Sequence, residues 1–279
     1  MNVTTVAAGG VEIVVREWGA GDGRPLVFWP GLNPFGALQL NEAGPVWAAR
    51  GYRVLAVAAP GGGESPPLAD REAYLPTRLA RLVLAVADRL GLGAFVFVGW
   101  SWGASIGVHL AARHSARLRA LVLLDAGHTD VELEGTLETL EREFARDQER
   151  YAFAGWDEYL DAVRGRARSW RPALEDRFRA GMVERDGSVV PRSDPRAAAW
   201  ALHGVAAEPP SSTHELLGRL DLPILLVLGA ENDTAREAAH FRAAVPHAAV
   251  SSMRSGHDLL ADAPDETANL VGDWLAAVD

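Results

Sequence analysis

The sequence predicts an α/β fold, a mostly parallel sheet with helices on both faces and a helical segment inserted into it. Three observations carry that expectation. Short apolar runs bounded by Gly and Pro alternate with stretches of 3.6-type helical spacing, the order expected of a sheet covered on both sides. Residues 95–107, Phe-Val-Phe-Val-Gly-Trp-Ser-Trp-Gly-Ala-Ser-Ile-Gly, run from a buried-strand pattern into a sharp turn and then a small-residue helix, with Ser101 at the apex. Between about residues 128 and 212 the alternation stops and no convincing strand pattern remains.

The elements follow in order. Residues 11–18 alternate as a half-buried strand. The turn Gly19-Ala20-Gly21-Asp22-Gly23 precedes a strand and opens no helix, so it reads as a hairpin-type turn and not as a dinucleotide loop. Residues 25–29, 53–58, 94–98, 119–124, 223–228 and 248–252 read as further strands, and 75–90, 104–114, 235–244 and 264–277 as intervening helices. Within the insertion, residues 131–150, 156–168, 172–184 and 194–206 read as helices with charged outer faces. Glu208-Pro209-Pro210-Ser211-Ser212 is a breaker cluster that suits a boundary. The expected division is a core of residues 1–127 and 213–279 and a cap of residues 128–212.

Composition narrows the function. A chain of 279 residues can bury one large core, or a core plus a small subdomain. A net charge of −10 disfavours nucleic acid and anionic membrane as partners, which leaves a small-molecule substrate. Without cysteine there is no disulfide, thiolate ligand or thiol nucleophile. All 27 basic residues are arginine, which excludes a P-loop lysine, a Schiff base and a Ser–Lys dyad. Gly61-Gly62-Gly63 accordingly lacks the rest of a Walker loop, and no histidine pair has zinc spacing with a third ligand nearby, so neither metal nor cofactor is expected. No charged leader with an apolar core precedes the first strand, and no apolar run approaches the roughly 18 residues of a membrane helix. A cytoplasmic monomer or homodimer is the expectation.

The motif Gly99-Trp100-Ser101-Trp102-Gly103 then supplies chemistry. Glycines at the first and last positions remove Cβ atoms where strand and helix meet, and the strained turn holds the serine hydroxyl clear of the sheet edge. In this context the chain resembles the α/β-hydrolase superfamily over nearly its whole length. Residues 51–65, ending in Pro60-Gly61-Gly62-Gly63-Glu64-Ser65, resemble the family's fourth strand and following turn, and residues 114–125 resemble its sixth strand. The resemblance implies an eight-stranded sheet, a cap inserted after the sixth strand and a set of catalytic positions.

A serine hydroxyl needs a base to take its proton. His257, in Ser255-Gly256-His257-Asp258 beyond the last strand, fits the family's Gly-His pattern, with Asp262 and Pro264 following. His109 and His114, on the helix after Ser101, read as packing or surface residues. The acid that orients the imidazole is assigned to Asp233, in Gly229-Ala230-Glu231-Asn232-Asp233-Thr234, which gives the family order Ser, Asp, His. Glu231 stays open as an alternative, as does Asp125 at the end of the sixth strand, where some relatives place the acid. The oxyanion hole is expected from the N–H groups of Trp102 and Leu32. Relatives commonly have His-Gly before the second donor; this chain has Pro30-Gly31, so the orienting hydrogen bond of that histidine must come from elsewhere, with Asn33 as a candidate.

Trp100, Trp156, Trp170, Trp200 and His128 are expected to contribute to the substrate pocket, although tryptophan is more often simply core. The function implied is a metal-free serine hydrolase of carboxylic esters, working through an acyl-enzyme. The Ser-Trp-Gly elbow also resembles that of proline iminopeptidases, whose reading would need a cap carboxylate such as Glu143, Asp157 or Glu158. Lactonase, carbon–carbon hydrolase and lyase chemistry use the same parts, and a non-catalytic ligand receptor on this fold is the alternative from another class.

Overall fold

The computed structural model describes residues 1–232 and 234–278. Strands β1 (Asn2–Ala8), β2 (Val11–Trp18) and β3 (Arg24–Trp29) lead to helix α1 (Ala43–Ala49), β4 (Tyr52–Val57) and α2 (Pro76–Arg89). Next come β5 (Phe95–Trp100), α3 (Trp102–His114) and β6 (Leu118–Leu124). The insertion holds α4 (Leu137–Arg150), α5 (Trp156–Arg164), α6 (Pro172–Ala180), β7 (Met182–Arg185), β8 (Ser188–Pro191) and α7 (Pro195–Ala207). Helix α8 (His214–Leu217), β9 (Ile224–Gly229), α9 (Ala235–Ala244), β10 (Ala249–Met253), α10 (Leu259–Asp262) and α11 (Pro264–Val278) close the fold.

Eight strands form one sheet in the order β1-β2-β4-β3-β5-β6-β9-β10. Strand β2 is antiparallel to both β1 and β4, and every other pairing is parallel. The central strands carry near-continuous apolar runs because both of their faces are covered, with Arg24, Arg53 and Arg119 confined to the first two positions of β3, β4 and β6. Along β5, Phe95 and Phe97 join the cluster beneath α2 and α3, whereas Val96, Val98 and Trp100 join the cluster beneath α1 and α11. The period-2 side-chain alternation thus feeds two separate hydrophobic layers from one strand. In such a sheet, ligands gather at the carboxyl ends of the strands. The loops that follow β3, β4, β5, β6 and β10 all emerge there.

Three expectations change. The first strand, β1, was not anticipated: its residues are mostly exposed and its polar Asn-Val-Thr-Thr pattern carries little apolar periodicity. The glycine-rich turn at 19–23 is not a hairpin, since β2 and β3 do not pair but flank β4 on opposite sides. The insertion, expected to be helical throughout, contains the antiparallel pair β7–β8. Helix α6 stops at Ala180, and Asp186 and Gly187 turn the chain with φ of 51° and 78°, the left-handed pair that Asp-Gly supplies to a tight hairpin. Around that hairpin the insertion has its own small core of Tyr159, Leu160, Met182 and Val189. Among the described residues, no helix is long and apolar enough to cross a membrane.

Candidate active site

Ser101 joins β5 to α3 at φ 52° and ψ −116°, a strained backbone for a residue with a Cβ. Main-chain bonds hold it there: its N–H donates to the Leu124 carbonyl at 3.0 Å, and its own carbonyl accepts from Ala104 N–H at 2.9 Å. A Cβ on Gly99 would lie 2.3 Å from the Gly103 carbonyl oxygen, and one on Gly103 would lie 2.2 Å from that of Trp29. Only glycine permits this approach of strand, helix and neighbouring loop.

The loop after β10 brings His257 to the serine. Its Nε2 lies 2.8 Å from Ser101 Oγ, and its Nδ1 lies 2.8 Å from Asp125 Oδ2. An ionised carboxylate only accepts, so the proton sits on Nδ1 and the Nε2 lone pair faces the hydroxyl. Asp125 is buried just past β6 at φ 51°, with its N–H donated to the Val227 carbonyl at 2.8 Å. Its Oδ1 accepts from Gly229 N–H at 2.7 Å, and Oδ2 also accepts from the Asn232 side-chain amide at 2.5 Å. The carboxylate is thus fixed by donors from the end of β9 before it meets the imidazole.

The sequence assigned the acid to Asp233 and left Glu231 and Asp125 open. Asp233 lies outside the described residues, and the carboxylate seen on His257 is that of Asp125. The physical reason is position. Strand β6 neighbours β5 in the sheet, so a residue at its carboxyl end lies one strand from Ser101, and the turn after β9 contributes donors to Asp125. Glu231 is engaged elsewhere. It accepts from Arg168 Nη1 at 2.8 Å, and that guanidinium holds its carboxyl below the ordinary glutamate range.

The loop after β3 packs directly on the elbow. A Cβ on Gly31 would fall 2.3 Å from the Trp100 ring and 3.0 Å from Ser101 Cβ. Among the described residues, no protein acceptor takes the N–H of Leu32 or of Trp102. In place of the histidine that Pro30 displaces, the loop is tied by a residue the sequence did not single out. Gln39 Oε1 accepts from the Asn33 side-chain amide at 3.1 Å and from Gly31 N–H at 3.4 Å. Asn33 Oδ1 in turn accepts from Phe35 N–H at 2.7 Å. Gln39 sits in a short 3-10 turn, Gly36–Leu40, where no spacing rule marks a functional side chain.

A cavity of about 520 Å³ opens beside these groups. Its lining includes Leu32, and also Trp102 and Asp258, the chain neighbours of Ser101 and His257. The insertion supplies the facing wall. Phe144, Asp147 and Gln148 of α4 and its C-cap Tyr151 line the cavity at i, i+3, i+4 and i+7, together with Phe153, Tyr159 and Phe178. That helical period was present in the sequence and identifies the inner face of α4.

The tryptophans expected in the pocket are elsewhere. Trp156 and Trp170 are absent from the lining and pack in the insertion's own core, where Trp170 stacks on Phe178 at 6.0 Å. Trp200, also absent from it, donates to Glu141 Oε1 at 2.7 Å and packs edge-on against Tyr74, which ties α7 to α4 and to the 3-10 turn Arg71–Tyr74. Trp100 is buried, with its indole N–H on the His257 carbonyl at 2.8 Å. His128 is buried outside the lining, and burial lowers its pKa from the ordinary histidine value.

Known proteins share this arrangement of elements. The sequence model of the alpha/beta hydrolase fold matches residues 24–264. A protein of Mycobacterium phage D29 that carries the name non-heme haloperoxidase is 36% identical over 123 residues, 44% of this chain and 42% of its own. The proline iminopeptidase of Neisseria gonorrhoeae is 30% identical over 112 residues, 40% of this chain and 36% of its own. These matches span less than half the length of either relative. Among solved structures, E-2-(acetamidomethylene)succinate hydrolase superposes with a TM-score of 0.78 at 22% identity, covering 99% of both chains. A thioesterase domain from the curacin biosynthetic pathway gives 0.76 at 20% identity, over 97% of this chain and 99% of its own. At these identities the structural likeness speaks for the fold. With a family match over most of its length and the same sheet, this chain belongs to the alpha/beta hydrolase fold family.

Proposed function

We propose that the protein is a serine hydrolase that cleaves carboxylic esters of small to medium, largely apolar substrates through an acyl-enzyme. The observation that carries this reading is the chain of two 2.8 Å contacts from Ser101 to His257 to Asp125, beside an aromatic-lined cavity. Ser101 Oγ attacks the ester carbonyl while His257 Nε2 takes its proton. Asp125 holds the imidazole in the reactive tautomer and stabilises the imidazolium. The N–H groups of Leu32 and Trp102 receive the developing oxyanion. His257 then protonates the departing alkoxide, and a water activated by the same imidazole releases the acid. The segment of residues 128–212 acts as the cap that encloses the acyl group.

Several charges around the cavity are paired within the protein, although Asp147 and Arg166 also line it. Asp258 pairs with Arg177, and Asp262 accepts from Gly256 N–H at 2.9 Å and lies 3.3 Å from Arg168 Nε. An iminopeptidase needs a free carboxylate for the substrate's amino group. Glu143, Asp157 and Glu158 are all absent from the lining, and Glu158 accepts from Ala154 N–H at 2.6 Å, whereas Asp147 does line the cavity and lies 3.5 Å from Arg150 Nη1. The test compares p-nitrophenyl butyrate with a prolyl arylamide. Ester turnover at least 100-fold above arylamide turnover is expected, and a preference for the arylamide would replace this reading with the peptidase one.

A further inference from the structure

Resting on the serine-hydrolase reading, we infer that Gln39 is a positioning residue that sets the Leu32 N–H for the oxyanion. Leu32 lies between Gly31 and Asn33, and one oxygen, Gln39 Oε1, accepts from both neighbours, at 3.4 and 3.1 Å. The donor peptide is therefore pinned on each side by the same amide. Asn33 relays the constraint: its Nδ2 reaches the Gly31 carbonyl at 3.3 Å, and its Oδ1 accepts from Phe35 N–H at 2.7 Å. The loop is closed from behind by groups that do not touch substrate, since Gln39 does not line the cavity.

Gln39 is 2% exposed, and its Nε2 has no hydrogen-bond partner among the described residues. Burying an amide with an unused donor costs stability that an apolar side chain of similar size would not. A fold optimised only for packing has no use for glutamine there. Its acceptor has a use: with proline at position 30, no side chain from the preceding residue can donate into this loop, and Gly31 and Asn33 both need an acceptor if the loop is to keep one shape.

The test is Gln39→Met, which keeps volume and removes both polar ends. Active sites are titrated with a fluorophosphonate, and kcat and KM are measured on p-nitrophenyl butyrate. The expected result is a kcat at least tenfold lower per titrated site, with KM within twofold. Affinity for a trifluoromethyl ketone, which mimics the tetrahedral adduct, should fall by the same factor as kcat. Thermal stability should change little, since the unused amide N–H group is gone while Gly31 N–H and the Asn33 amide lose their acceptor. Asn33→Ala, read the same way, provides a second variant, and the double variant should lose little more than either single one. A Gln39→Met enzyme with kcat within twofold of wild type overturns this inference alone, as does a loss that merely follows the titrated site fraction. A wild type with no ester turnover overturns the hydrolase reading and this inference with it.

Discussion

The indole N–H of Trp100 donates to the main-chain carbonyl of His257 at 2.8 Å, so the residue before Ser101 holds the loop that carries His257. The two rings also meet at 5.3 Å. Trp100→Phe keeps most of the ring packing and deletes the bond. A neutral hydrogen bond of this kind contributes about 1 kcal/mol, so kcat/KM should fall about three- to tenfold. Trp100→Ala should in addition destabilise the fold by about 3–5 kcal/mol, because it empties a buried site. Kinetics and thermal unfolding on the two variants check both statements, and a Phe variant indistinguishable from wild type would contradict the first.

Asp125 should prove to be the acid that orients His257. Replacing it with Asn leaves a side chain that can present an N–H to Nδ1, which favours the wrong tautomer and lowers kcat about 10³- to 10⁴-fold. Asp233→Asn should stay within about threefold of wild type. Measured side by side with p-nitrophenyl butyrate, the opposite ranking would return the role to Asp233.

The wall of the cavity should set acyl preference. Phe144→Ala and Phe178→Ala enlarge it and should move the optimum of a p-nitrophenyl ester series by two or more carbons toward longer chains, with acetate turnover within about threefold. Trp156→Phe and Trp170→Phe lie behind that wall and should alter melting temperature more than chain-length preference. A shift in the optimum with the tryptophan variants alone would contradict the cavity assignment.

Three buried histidines predict acid sensitivity. Burial is the first cause that lowers His109, His128 and His214 from the ordinary value of 6.5. Arg113 adds to it at His109 and His214 adds to it at His128, while Asp125 and Glu237 oppose it at His128. Asp130 and the Gly127 carbonyl oppose it at His214, as the Glu208 carbonyl does at His109. The unfolded chain then binds more protons than the fold once pH drops below about 6.5. Stability should be complete above that value and decline as pH falls through the depressed range. Melting temperatures from pH 8 to pH 5 measure this, and His128→Leu should flatten the decline. A flat profile in the wild type would refute the account.

What the sequence made legible follows physical lines. The parallel strands and the helices between them were readable because doubly covered strands need continuous apolar runs, as Phe95–Trp100 shows. Ser101 and His257 were readable because a strained turn and a Gly-His loop leave local signatures. The contact of Asp125 with His257 was harder to foresee, since it depends on β6 lying beside β5, a pairing between distant segments. Gln39 left no local signal, because its partners Gly31 and Asn33 meet it only after the loop folds back. The α4 wall was written in its 3.6 spacing, but the large tryptophans drew attention away from Phe144 and Tyr151.

The central claim is that Ser101 carries the covalent intermediate. Intact mass after exposure to a fluorophosphonate, followed by peptide mapping, tests it most directly. The account predicts a single adduct on Ser101 in the wild type, none in a folded Ser101→Ala variant, and loss of ester turnover in parallel. An adduct elsewhere, or undiminished turnover by Ser101→Ala, would contradict it.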